Sequence, residues 1–154
     1  RRPPRSTLFP YTTLFRSVGI DEPAYGAFLN WMYFSDATLT FPQTLVLRYS
    51  QLEPEERRNP QVSGDYAKWF LGRLRAVEAA AAKSEFLCAE RFTAADIANG
   101  YALRLASNIG LAKDFGPNVA AYWARLQQRD GYKRAVASEQ KAGQEQNVAP
   151  RARP

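Results

Sequence analysis

The sequence predicts an all-α domain of about five helices packed around one buried central helix. Three observations carry this. Apolar residues recur at intervals of three and four, as in Tyr66, Phe70, Leu74 and Val77, and again in Val119, Tyr122, Trp123 and Leu126, which is the period of one helix face. No run alternates apolar and polar residues as a half-buried strand would. Finally, residues 94–106 contain only Asp96, Asn99 and Arg104 as strongly polar positions. A helix apolar nearly all round is a central one, expected to be covered on every side.

Taken in order, the first helix is expected to start at Asp21 as N-cap, with Glu22 and Pro23 in its first turn. It carries two stripes at helical spacing. One is Ala24, Ala27, Phe28, Trp31, Ser35 and Thr38; the other is Asn30, Tyr33, Ala37, Thr40 and Phe41. Pro42 is expected to kink or interrupt it, with helix resuming through 45–48. The loop that follows holds Glu53, Glu55 and Glu56, read as solvated surface. Asn59 followed by Pro60 marks the next start, and the alanine run 79–82 sustains that helix to about Lys83. The central helix stops near Gly110, a residue that tolerates the left-handed conformation. Pro117 opens the next helix, and a last short one follows near Gly131. From about Gln140 the composition turns to Gln, Gly, Ala, Pro and Arg, the signature of a disordered tail.

The start of the central helix is written in residues 92–97. Thr93 stands three residues before Asp96, the spacing of a reciprocal capping box in which hydroxyl and carboxylate each satisfy a backbone N–H. Phe92 and Ile97 have the spacing of a hydrophobic staple across it. Capping explains Thr93 and Asp96 fully, so neither is assigned to catalysis. Cys88, alone between apolar neighbours, reads as a small buried hydrophobe. Asn99 and Arg104 are expected to satisfy backbone carbonyls or a helix end.

Composition sets the outer limits. The 154 residues allow one domain with a substantial core, and no apolar run reaches the roughly 20 residues of a membrane span. With one Cys and no His, an internal disulfide, histidine acid–base chemistry and His-containing metal sites are excluded; no metal is expected, and the compartment is read as reducing. The net charge of +6 suggests nucleic acid, but the excess is misplaced. Residues 1–17 resemble the conceptual translation of a short-read sequencing adapter, and are read as an artefact outside the fold. Four of the 21 basic residues lie there, leaving 17 against 15 acids; Arg151 and Arg153 account for the rest. No nucleic-acid partner is therefore expected. The folded unit is placed at 18–139 and the tail at 140–154.

The run LCAERFTAADIA at 87–98 is similar to the L-x-G-x-x-[FL]-[ST]-x-A-D-I-x signature of the C-terminal domain of glutathione transferases. The Trp31 region followed by Pro42, and PNVAAYWAR at 117–125, resemble that domain's first and later helices, so the likeness covers roughly 20–138. Ala89 departs from the family's usual Gly. The resemblance implies a cytosolic, bacterial-type enzyme that uses glutathione as co-substrate, with a small hydrophobic electrophile as partner and a homodimer as the intact form. It implies a thioredoxin-like domain ahead of these helices, carrying the thiol-activating residue, so this chain alone is expected to hold no catalytic residue and to be inactive. It also implies that Tyr33, Ala37, Thr40 and Phe41 of the first helix, with Leu105 of the central one, form the electrophile wall. The alternative is a non-catalytic docking module of the same helical fold.

Overall fold

The computed structural model describes residues 16–148, and every regular element among them is helical. Helix α1 (Tyr25–Tyr33) passes without a break into a π-helical segment (Phe34–Thr40), then α2 (Phe41–Leu47) and a second π segment (Arg48–Leu52). Then follow α3 (Pro60–Ala81), α4 (Ala94–Asn108), α5 (Pro117–Gln128) and α6 (Asp130–Glu145). Counting the α1–α2 rod once, the described residues form five main helices. The rod packs along α3 and against α4, α5 sits on α3 and α4, and α6 packs on α5. Leu39, Phe70, Leu74, Val77, Leu103, Val119 and Tyr122 form the core between them. Residues 1–15 and 149–154, which hold most of the adapter-like segment and the last six residues of the tail, lie outside the described residues.

Three boundaries follow the local chemistry. Asn59 caps α3 by accepting from the Val62 N–H at 3.1 Å, with Pro60 at the first helical position. Gly110 leaves α4 at φ 80°, and the Leu111 N–H closes on the Ala106 carbonyl at 2.9 Å, the bond pattern of a Schellman stop. At Pro42 the ring can neither donate nor accommodate the carbonyl four residues back. The chain answers with the wider i→i+5 turns that precede it, rather than with a break.

Four expectations are corrected. Asp21 does not cap the first helix, which begins at Tyr25 after Ala24. Glu22 instead turns back to accept from the Gly19 N–H at 2.7 Å and from Arg91 at 2.8 Å, so residues 19–24 form turns tied to the loop before α4. Glu53 is not freely solvated: its side chain is only 11% exposed, between Arg48 at 2.7 Å and Arg57 at 3.4 Å. The last helix is not short; it runs through Gln140 to Glu145, held at one end by Trp123 packing edge-on against Tyr132 and further along by an Arg104–Glu139 ion pair. Its Ala, Gln, Lys and Glu content favours helix, which outweighs the two glycines. Finally, α4 is not covered on every side. Ile97 is 44% and Tyr101 57% exposed, on the edge that faces α6.

Candidate functional site

The central helix is fixed by a buried carboxylate. Asp96 Oδ2 accepts from the Thr93 N–H at 2.8 Å and from the Thr93 hydroxyl at 3.2 Å, and the hydroxyl accepts from the Ala95 N–H at 3.2 Å, closing the capping box. Asp96 Oδ1 accepts from the Leu87 N–H at 3.0 Å and from the Tyr122 hydroxyl at 2.9 Å. No solvent reaches the Asp96 side chain; four donors replace the water that a buried charge otherwise loses. Burial, then the Asp96 charge and its hydrogen bond, push the Tyr122 hydroxyl far above the ordinary tyrosine range. Burial likewise raises the Cys88 thiol, which leaves it a poor nucleophile. This cluster is structural in its chemistry: every polar group in it is spent on another.

Next to it, the rod is pinned to α4 by side chains that reach backbone carbonyls. Ser35 Oγ donates to Ala98 at 2.7 Å, Gln43 Nε2 to Ala102 and Leu39 at 3.1 Å each, and Asn99 Nδ2 to Trp31 and Ala95 at 2.9 Å each. Ser35, Gln43 and Asn99 are all buried. Such bonds, dry and directed, fix the azimuth of the rod. They set which residues face outward.

Those outward residues include most of the wall expected from the sequence. Tyr33 is 71% and Phe41 51% exposed, and Ala37 between them is exposed too. Thr40 is half-buried, its hydroxyl turned inward onto the Ser35 carbonyl at 2.9 Å. Leu105 is half-buried on α4. Tyr33, Ala37 and Phe41 thus share one open face of the rod. At its end Phe41 meets Trp69 edge-on at 6.1 Å, and Trp69 stacks on Tyr66 at 5.5 Å, a small aromatic cluster across α2 and α3.

A concave site lies elsewhere, and the sequence reading missed it. A cavity of about 720 Å³ opens between α4, α5 and α6, lined by Ile97, Tyr101, Trp123 and Tyr132 with arginines at its edge. None of Tyr33, Ala37, Thr40, Phe41 and Leu105 lines it. Phe92 and Ile97, the staple pair, both do; the Phe92 ring lies edge-on to Phe86 at 5.9 Å and beneath the Arg129 guanidinium at 3.6 Å. The signal was present in the spacing of Ile97, Tyr101 and Arg104 along one edge of α4, hidden because that helix was expected to be covered all round. Asn99 bonds backbone carbonyls, as its position suggested, whereas Arg104 pairs with Glu139 at the cavity. Among the described residues no three His, Cys, Asp or Glu side chains gather as metal ligands.

No family model and no curated protein matches the sequence. Solved structures do match the fold. A glutathione transferase from Phanerochaete chrysosporium aligns over 92% of this chain with a TM-score of 0.76 and 19% identity. A second from that organism, solved with oxidized glutathione, aligns over 88% with a TM-score of 0.71 and 20% identity. A glutathione S-transferase from Methylobacillus flagellatus with glutathione bound aligns over 83% with a TM-score of 0.67 and 21% identity. The chain spans 64%, 63% and 64% of those structures respectively. Its described helices have the all-α fold of the C-terminal part of glutathione transferases.

Proposed function

We propose that the chain is the electrophile-side helical domain of a cytosolic glutathione transferase, which joins the glutathione thiolate to an electrophilic carbon or reduces a peroxide with it. The observation that carries this reading is the fold shared with solved glutathione transferases, at a TM-score of 0.76. The open face of Tyr33, Ala37 and Phe41 supports it, because those residues sit on a rod pinned by buried hydrogen bonds. Rigid scaffolds of this kind hold a substrate within attack distance, which supplies rate without any reacting group. Thr40 and Leu105 act here as backing for the wall, since both are half-buried. An apolar, aromatic face suits a small hydrophobic electrophile rather than a charged peptide. Thiol activation belongs, in this reading, to a thioredoxin-like part of the enzyme, and the intact form is a homodimer.

The test has two arms. The chain alone, given glutathione and 1-chloro-2,4-dinitrobenzene, should turn over no faster than buffer. The genomic sequence preceding the codon for Val18 should encode a thioredoxin-like segment. Clear turnover by the chain alone would refute the division of labour. A different upstream domain would favour the docking module, for which the exposed aromatic cluster of Phe41, Tyr66 and Trp69 offers a surface.

A further inference from the structure

The last helix meets the rest of the molecule along a single stripe. None of the 16 residues of α6 is buried, and only Tyr132, Val136 and Gly143 are half-buried. Together with Glu139 they recur at steps of four, three and four, which is one edge of a helix. Of these, only Tyr132, edge-on to Trp123 at 5.4 Å, and Val136 offer apolar side chains. The helix is nevertheless complete in itself. Lys141 and Glu145 pair across one turn at 3.7 Å, and the Val148 N–H closes on the Gly143 carbonyl at 2.9 Å past Asn147 at φ 53°, a stop made by its own residues. At the other end one residue, Arg129, extended at φ −67° and ψ 135°, separates α6 from α5. Its guanidinium lies over Phe92, 3.6 Å from the ring centre, which anchors that corner. Gly131 follows, where an added Cβ would meet nothing within 4 Å. Element ends of this kind absorb the φ and ψ changes of a hinge.

We propose that α6 is a hinged strap, which swings as a rigid helix about Arg129 and is latched by Glu139 on Arg104 of α4. The strap forms one wall of the 720 Å³ cavity, through Tyr132, Arg134 and Ala135, so its swing sets how wide that cavity stands. The charges make the latch decisive. Arg134 on the strap shares the cavity with Arg104 on the opposite wall, and like charges facing each other oppose closure. Asp130 lies at the pivot, where it moves little. Asp96 is enclosed by its own four donors. Glu139 is thus the acid placed to draw the strap shut, far enough from the corner to have leverage. None of the residues Tyr33, Ala37, Thr40, Phe41 and Leu105 lines this cavity, so the strap and the glutathione reading can each fail without the other.

The experiment is a spin-label distance measurement by double electron–electron resonance on the full chain, with Cys88→Ala and labels at Ala121→Cys on α5 and Gln144→Cys on α6. Both label positions are exposed. Position 144 lies about 21 Å along the helix from the pivot, so a swing of about 20° moves it by about 7 Å. The parent chain should give one main distance. Glu139→Gln should add a second one, displaced by several ångströms, and raise the share of open molecules about fivefold, the effect of one partly exposed ion pair. Glu139→Arg should raise it further, and Arg104→Glu combined with Glu139→Arg should restore the parent distribution. Helix content by circular dichroism should stay the same throughout. A distribution unchanged in Glu139→Gln and Glu139→Arg would overturn the latch. A second distance that appears together with a loss of helix content would overturn the strap, because α6 would then be unfolding rather than swinging.

Discussion

Glu78 of α3 caps the first turn of α5, forty residues further along the chain: its Oε2 accepts from the Val119 N–H at 2.8 Å. Its Oε1 accepts from the Asn118 N–H at 3.0 Å and from the Asn118 side-chain amide at 2.7 Å. A helix start that lacks its own side-chain cap is thus completed by a neighbouring helix. Gly116 makes room for it, since a Cβ there would lie 2.5 Å from the carboxylate.

Burial pushes the Glu78 carboxyl up, but the N–H groups of Val119 and Asn118 and the Asn118 amide together hold it below the ordinary glutamate range. A depressed folded value gives stability that is present above the unfolded value near 4.5 and lost as pH falls through the folded one. Glu78→Gln should cost about 1 kcal/mol at neutral pH and flatten the acid limb of the melting curve. Thermal melts from pH 3 to 7 on both proteins decide this; parallel curves would show that the cap carries no charge effect.

Tyr122 tests the other limb. Its hydroxyl is held protonated well above the ordinary range of 10 by burial and by Asp96. The unfolded chain loses that proton near pH 10 and the native chain keeps it, so the contribution of this hydroxyl to stability should be constant below that pH and fall above it. Tyr122→Phe should lessen the fall between pH 8 and 11, leaving the part due to the buried Cys88 thiol, and at neutral pH should cost about 1.5–3 kcal/mol, the worth of a hydrogen bond to a charged group. Urea denaturation at pH 8 and 11 provides the measurement.

Thr93→Ala removes the cap hydroxyl and one of the four donors to Asp96. A loss of about 1–2 kcal/mol is expected, or a few degrees of melting temperature for a domain of this size. An unchanged melt would sink the capping argument.

Ala89 and Glu90 stand at φ 56° and 51°, where a side chain meets its own backbone. Ala89→Gly should therefore stabilise the chain, by up to about 1 kcal/mol once the greater freedom of glycine in the unfolded state is subtracted. A variant less stable than the parent would show that the turn is not strained.

Much of the fold was legible because its signals are local. Asn59 with Pro60, Thr93 with Asp96, and Gly110 each act within four residues, and the stripe from Val119 to Leu126 needs only a period. What was not legible depends on distant partners. Glu22 leaves the first helix for Arg91, and α6 persists past Gln140 where Glu139 meets Arg104. The i→i+5 turns before Pro42 are a response to packing that no dipeptide announces. At the candidate site, the stripe spacing placed Tyr33, Ala37 and Phe41 on one face. The edge of α4 that opens onto a cavity could not be read, because an apolar surface looks the same in a sequence whether a neighbour covers it or not.

The Asp96 carboxylate has a consequence for how the molecule comes apart. Its donors arrive from the loop before α4, from the start of α4 and from α5. Detaching any one strands a charge without water, so none can open alone at small cost. Amide hydrogens of Leu87, Thr93 and the first turns of α4 and α5 should thus exchange with a common opening energy, as one cooperative unit. The outer half of α6, tied by ion pairs at the surface, should exchange well before them.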